Sequence, residues 1–217
     1  MNRLVAGAFL ALGVLAAPAA HAQQPPNMPS REEILAKIQE AMPKLLERSP
    51  EESLEVAGVC KLTYKQIPTE PSKIAEALGE DLGGRQLPPG QKIDQYIGMF
   101  KNEITEALNE IMSNVGTFEA LQPIKVKSKT IPVGEHRIGL VFEGEKPVGI
   151  RIFNEDPEKL EKPIDIRLKT KSIDAQESLA LQIKEPKKQK EGAESFEIRV
   201  ACLRFLAKTG KLKVADE

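Results

Sequence analysis

Two cysteines, one histidine beyond residue 22, and several lysine-rich stretches are the residues with most chemical scope in this chain. Cys60 and Cys202 are its only cysteines. In an oxidising compartment an even pair reads as a disulfide. That bond would close a loop of 142 residues and, by chain entropy, stabilise by about 4–5 kcal/mol. Two buried free thiols are the plain alternative, and no C-x-x-C motif supports a redox role. We expect the bond.

His136 stands alone. A general base or zinc site needs companions, and no H-x-x-x-H or H-E-x-x-H spacing exists. Glu135 is its sequence neighbour, but adjacent residues on a strand point to opposite faces. We read His136 as an exposed turn residue. The acidic turn Asn154-Glu155-Asp156-Pro157-Glu158 lacks the spacing of a calcium loop. The Gly83-Gly84 pair lacks the lysine of a phosphate loop, and no G-x-S-x-G elbow occurs. No catalytic residue, metal ligand or cofactor site is therefore assigned.

Charge is the remaining signal. The chain has 31 basic and 32 acidic residues, a net charge of −1 and a pI near 6.3. These values exclude a polycationic nucleic-acid binder and a polyanionic tail. The distribution is uneven: residues 23–116 carry 10 basic and 15 acidic residues, and residues 117–217 carry 20 and 17. Lys125, Lys127, Lys129, Arg167, Lys169 and Lys171 fall on wet strand positions, and Lys184, Lys187, Lys188 and Lys190 crowd one loop. Such charges can simply protect strand edges from pairing with other chains. The sharper expectation is that Lys184, Lys187, Lys188 and Lys190 bind an anionic polymer or an acidic partner. Sugar stacking is disfavoured, since the chain has no Trp.

The elements that would hold these residues follow from periodicity. Residues 1–22 read as a secretory signal peptide, with Arg3, an apolar stretch over 4–17 and Ala20-His21-Ala22 for cleavage. Residues 23–29 read as a Pro-rich tether. Ser30-Arg31-Glu32-Glu33 is a capping box that opens a helix over 31–47, with Pro43 inside it. Ser49-Pro50-Glu51-Glu52 repeats the start signal and favours a helix over 50–66. The alternation of Cys60, Leu62 and Tyr64 offers a strand there instead. A short helix opens at 69–71 and stops at Gly79, and a longer one spans 92–115, capped by Gly116.

From residue 122 the apolar period changes to two. Ile124/Val126, Ile138/Leu140/Phe142, Val148/Ile150/Ile152, Ile164/Ile166/Leu168, Leu179/Leu181/Ile183 and Phe196/Ile198/Val200/Cys202 each alternate with polar or small residues. One-sided alternation implies antiparallel sheets with one wet face. The fold expected is α+β: a helical region over 30–116 packed on a C-terminal antiparallel β-sandwich of about six strands over 117–217.

The hydrophobic fraction of 41% and charged fraction of 29% fit a globular protein. The function expected is a non-catalytic binding module of the bacterial cell envelope, periplasmic or secreted. Its partner is an envelope component or an anionic polymer, with no nucleic acid and no membrane span. Alternatives are an enzyme of unrecognised type using His136 or a carboxylate pair, and an assembly protein associating through the 92–115 helix.

Overall fold

The computed structural model describes residues 31–78, 81, 100–185 and 195–215. The signal peptide, the tether, the cap at Ser30, the loop lysines 187, 188 and 190, and positions 92–99 of the expected long helix lie outside these residues.

Where the apolar period is two, the chain runs as strands. In order, the elements are α1 (Arg31–Arg48), β1 (Glu51–Val56), β2 (Cys60–Lys65), α2 (Pro71–Leu78), α3 (Lys101–Met112), β3 (Gly116–Ala120), β4 (Ile124–Val126), β5 (Lys129–Ile131), β6 (Gly134–Glu143), β7 (Lys146–Phe153), β8 (Ile164–Arg167), β9 (Lys169–Ser172), β10 (Ala180–Lys184), β11 (Ser195–Cys202), β12 (Phe205–Lys208) and β13 (Leu212–Val214). The class is α+β, with all strand pairs antiparallel. One sheet has six strands in the order β1-β2-β3-β6-β7-β8. The other has seven, in the order β5-β4-β13-β11-β12-β9 with β10 added on β11.

The helix expected over 50–66 is instead the β1–β2 hairpin. Val56 and Cys60 satisfy either period, but Leu62 and Tyr64 are buried beside Cys60 on one side of β2, and only a strand puts i, i+2 and i+4 on one face. Leu62 sits opposite Phe118 of β3. Gly58 closes the hairpin at φ +71°, a left-handed conformation that glycine adopts without steric cost.

Helix α1 runs through the exposed Pro43 to Arg48. Helix α3 ends at Met112, and Gly116 is not its cap. Gly116 opens β3 instead, packed so tightly on β2 that a Cβ there would stand 2.0 Å from the Thr63 carbonyl oxygen. Val115 bridges the two strands on either side: its N–H donates to the Ile138 carbonyl, and its own carbonyl accepts from Lys65 N–H, both at 2.9 Å.

The sheets meet at two places. Leu168 connects β8 to β9, so one extended run passes from the edge of the six-stranded sheet to the edge of the seven-stranded one. On the other side, Leu179 N–H donates to the Ile67 carbonyl and Thr69 N–H to the Glu177 carbonyl, each at 2.8 Å. The Tyr64 phenol lies at the same seam, donating to Glu52 and accepting Leu181 N–H at 3.0 Å.

Ile138, Leu140, Ile150, Ile166, Leu168, Leu181, Ile198 and Val200 are all buried in one cluster, which also takes Ile38, Leu45, Ile74, Ile104, Leu108 and Met112 from the helices. Asn109 Nδ2 donates to the Gly144 carbonyl at 2.8 Å and seats α3 on the β6–β7 hairpin. Lys44 and Arg48 both reach Asp81, at 3.0 and 2.6 Å, and hold that carboxyl below its ordinary pKa.

Candidate anion-binding face

Antiparallel register decides which side chains share a face, because directly opposite residues point the same way. The apolar stripe Phe196, Ile198, Val200 and Cys202 of β11 is buried. Glu197 and Arg199 therefore project from the other face.

Across that face, Arg199 stands opposite Lys208 of β12, and Lys208 stands opposite Lys169 of β9. Three cations thus lie in one row on three adjacent strands, with strands about 4.8 Å apart. In a second row, Lys213 of β13 stands opposite Lys125 of β4. Lys171 follows Lys169 by two residues along β9, and Lys184 of β10 faces Glu197. Among the described strand residues the face carries seven cations against one acid, Glu197. Among the described residues none of the seven makes an ion pair. Like charges placed directly opposite one another are destabilising, so the three like-charged pairs are not there to hold the sheet together.

The sequence expectations meet this face unevenly. Lys184 lies on it, exposed at the end of β10. Lys125, Lys169 and Lys171 also lie on it, while Arg167 belongs to the six-stranded sheet, opposite Gly149. Lys127 is a turn residue with φ 54°. Lys208 and Lys213 were not anticipated, and the alternation marks Arg199 only as a polar position of the last long run. Leu212 and Val214 flank Lys213 with the period of a strand, and the three-residue length of β13 hid the signal.

Cys60 and Cys202 are not bonded. Both are free and fully buried, in different sheets and not near each other. Cys60 is fixed at the hairpin end of β2, opposite Val56 and Ala120. Cys202 is fixed at the β11–β12 turn, opposite Phe205. The expected bond required Cys60 to ride on a helix free to dock against the last long strand, and the hairpin removes that freedom. Burial pushes both thiols up to about 12.

His136 is also not where expected. It is 2% exposed, facing inward on β6 opposite Phe118, and its Nε2 lies 2.9 Å from the Pro132 carbonyl oxygen. Glu135 points to solvent opposite Glu119, so the two form no acid–base pair. In the acidic turn, Asn154 Oδ1 accepts Asp156 N–H and Asp156 Oδ1 accepts Glu158 N–H, each at 3.0 Å. These side chains are engaged in shaping the turn. Among the described residues no group of three or more His, Cys, Asp or Glu side chains is arranged to hold a metal ion, and no helix is long and apolar enough to cross a membrane.

Comparisons with protein-family models, with curated proteins and with solved structures find no match for this chain.

Proposed function

We propose that this protein is an exported, non-catalytic binding module of the bacterial cell envelope, which docks an anionic polymer on the outer face of its seven-stranded sheet. One observation carries the reading: among the described strand residues of that face there are seven cations against one acid, with Arg199, Lys208 and Lys169 in direct cross-strand register. A face that accumulates like charges on a rigid sheet concentrates positive potential and attracts polyanions. The leader over 1–22 supports export. The described strand residues of the face are Lys, Arg, Glu, Ser, Thr, Ala, Gln and Leu, with no aromatic ring among them. It thus lacks the stacking platforms that single-stranded nucleic acids use.

The finer architecture belongs to the same proposal. We read the two sheets as a β-sandwich. The β8–β9 run through Leu168 and the Tyr64–Leu181 hydrogen bond support this at its two edges. The helices cover one end through the Asn109–Gly144 contact.

Chromatography on immobilised sulfated dextran tests the function, using protein recovered from the envelope and beginning at Gln23. Wild type should be retained at low salt and elute as salt shortens the screening length below ~10 Å. The triple variant Lys169→Glu, Lys208→Glu, Lys213→Glu should pass through unretained while keeping its fold, since exposed charges contribute little stability. Equal retention of the two proteins would sink the proposal.

A further inference from the structure

Within the basic face the cations are not evenly spread. Lys184 at the end of β10, Arg199 in the middle of β11, Lys208 at the end of β12 and Lys211 just before β13 line one open basin of about 260 Å³. Glu185 and Glu197 also line it, so its described charged side chains sum to +2. Arg199 is half-buried there, and its Nε is fully covered without a hydrogen-bond partner among the described residues. A buried donor without an acceptor is unfavourable. A ligand oxygen that meets the Nε–H as the half-buried side chain shifts would supply the missing acceptor.

We propose that this basin is a seat for one phosphate monoester group carried by the bound anion, an inference that rests on the anion-binding reading of the face. A phosphate ester carries close to two negative charges at neutral pH and three strong acceptor oxygens, which matches the net +2. A carboxylate supplies one charge and two oxygens, and would leave the basin half neutralised. The guanidinium supplies a planar fork suited to a tetrahedral oxyanion. Lys184, Lys208 and Lys211 act as mobile point charges around it. A terminal phosphate monoester on a polymer, the monoester headgroup of phosphatidic acid and free phosphate share this chemistry, whereas a phosphodiester carries one charge and two free oxygens and matches the basin no better than a carboxylate does.

The test is titration of the full chain with inorganic phosphate at constant ionic strength, followed by NMR at the arginine Nε–H groups and the backbone amides of residues 195–211. The Arg199 Nε–H signal should move saturably, while that of Arg151, already paired with Asp165, should stay still. Arg199→Gln should weaken phosphate binding at least ten-fold, and the exposed Lys211→Gln should weaken it several-fold if the first variant folds poorly. Acetate at the same ionic strength should produce no saturable shift. Parallel arms with polyphosphate and with vesicles containing phosphatidic acid identify the source, since only the lipid source gives co-sedimentation. If phosphate moves Arg199 no more than acetate does, or Lys211→Gln and Arg199→Gln both bind phosphate as wild type does, the seat is refuted. Retention on sulfated dextran in that case leaves the broader face standing. Loss of both signals removes both.

Discussion

The two sheets carry the same alternation of apolar and polar residues, yet their solvent faces differ in charge. On the six-stranded sheet, the register gives five cations, Lys61, Lys65, Arg137, Arg151 and Arg167, and five acids, Glu51, Glu55, Glu119, Glu135 and Asp165, up to the irregularity after Val141. They are largely matched. Glu51 faces Lys65, Glu55 faces Lys61, Lys61 faces Glu119, and Arg151 holds Asp165 through bonds of 2.7 and 2.9 Å. Only Glu119 and Glu135 oppose each other with like charge. On the seven-stranded sheet the matching is reversed: Lys184–Glu197 is the single opposite-charge pair, against three like-charged ones. Stability alone explains the first face. The second holds repulsion that a stability-driven sheet would shed, and the proposed anion would relieve it.

The comparison assumes that the sheets differ outside and not inside, and the largest expected effect tests that. Ile150 of the six-stranded sheet and Ile198 of the seven-stranded sheet are both fully buried in one cluster. Each Ile→Ala change should lower stability by about 2–5 kcal/mol, through lost burial plus the cavity left behind. Denaturant unfolding measures both. A loss under about 1 kcal/mol in one sheet alone would mean the two do not share a core.

Each sheet also contributes one buried thiol, and these should behave alike. Cys60 and Cys202 are raised from 9.0 to about 12, mainly by desolvation. A raised acid pKa means the native state keeps its proton while the unfolded chain ionises. The stability from the buried neutral thiols is therefore full below pH 9 and lost as pH rises from about 9 towards 12. Tyr64, also raised to about 12 by burial and by Glu52, acts in the same direction. Iodoacetamide at pH 8 should label neither cysteine in the folded protein and both after unfolding, because the thiolate is the nucleophile. Labelling of one cysteine alone would set the sheets apart inside as well as outside.

How much of this was legible depended on segment length and on partners. Long alternating runs such as Gly134–Glu143, Lys146–Phe153 and Ser195–Cys202 announce themselves, because several apolar residues repeat on one face. Strands of three or four residues, such as Leu212–Val214 and Phe205–Lys208, repeat too little to stand out from a loop, so Lys213 and Lys208 of the basic face stayed hidden. The β1–β2 hairpin was misread because Ser49-Pro50-Glu51-Glu52 is a sound local helix signal. It was overridden by burial of Leu62 and Tyr64 against β3, a partner more than fifty residues away. The like-charged rows were beyond reach for the same reason. That Arg199, Lys208 and Lys169 are aligned is a fact of register, and register is set between strands, not within them. His136 reads as a turn residue in the sequence because nothing local shows that Phe118 will lie opposite it.

The smallest effect is the most discriminating, because it should have opposite signs on the two sheets. Lys208 stands between Arg199 and Lys169. Lys208→Glu turns two like-charged cross-strand pairs into two opposite ones, each worth roughly 0.2–1 kcal/mol. The variant should be more stable than wild type by about 0.5–1 kcal/mol in low salt, with the gain shrinking as salt is added. It should also bind sulfated dextran and phosphate more weakly. Arg151→Glu makes the mirror change on the six-stranded sheet: it removes the paired bonds to Asp165 and sets two acids opposite each other. The pair is exposed, so the loss should be modest, about 0.5–1 kcal/mol, with sulfated dextran retention reduced far less than in Lys208→Glu. Urea midpoints at two salt concentrations read both signs. A Lys208→Glu protein less stable than wild type would show that the basic row is not under repulsive load, and the charge contrast between the faces would then have no energetic meaning. A more stable, weaker-binding Lys208→Glu protein fits a surface kept below its stability optimum because it serves a partner.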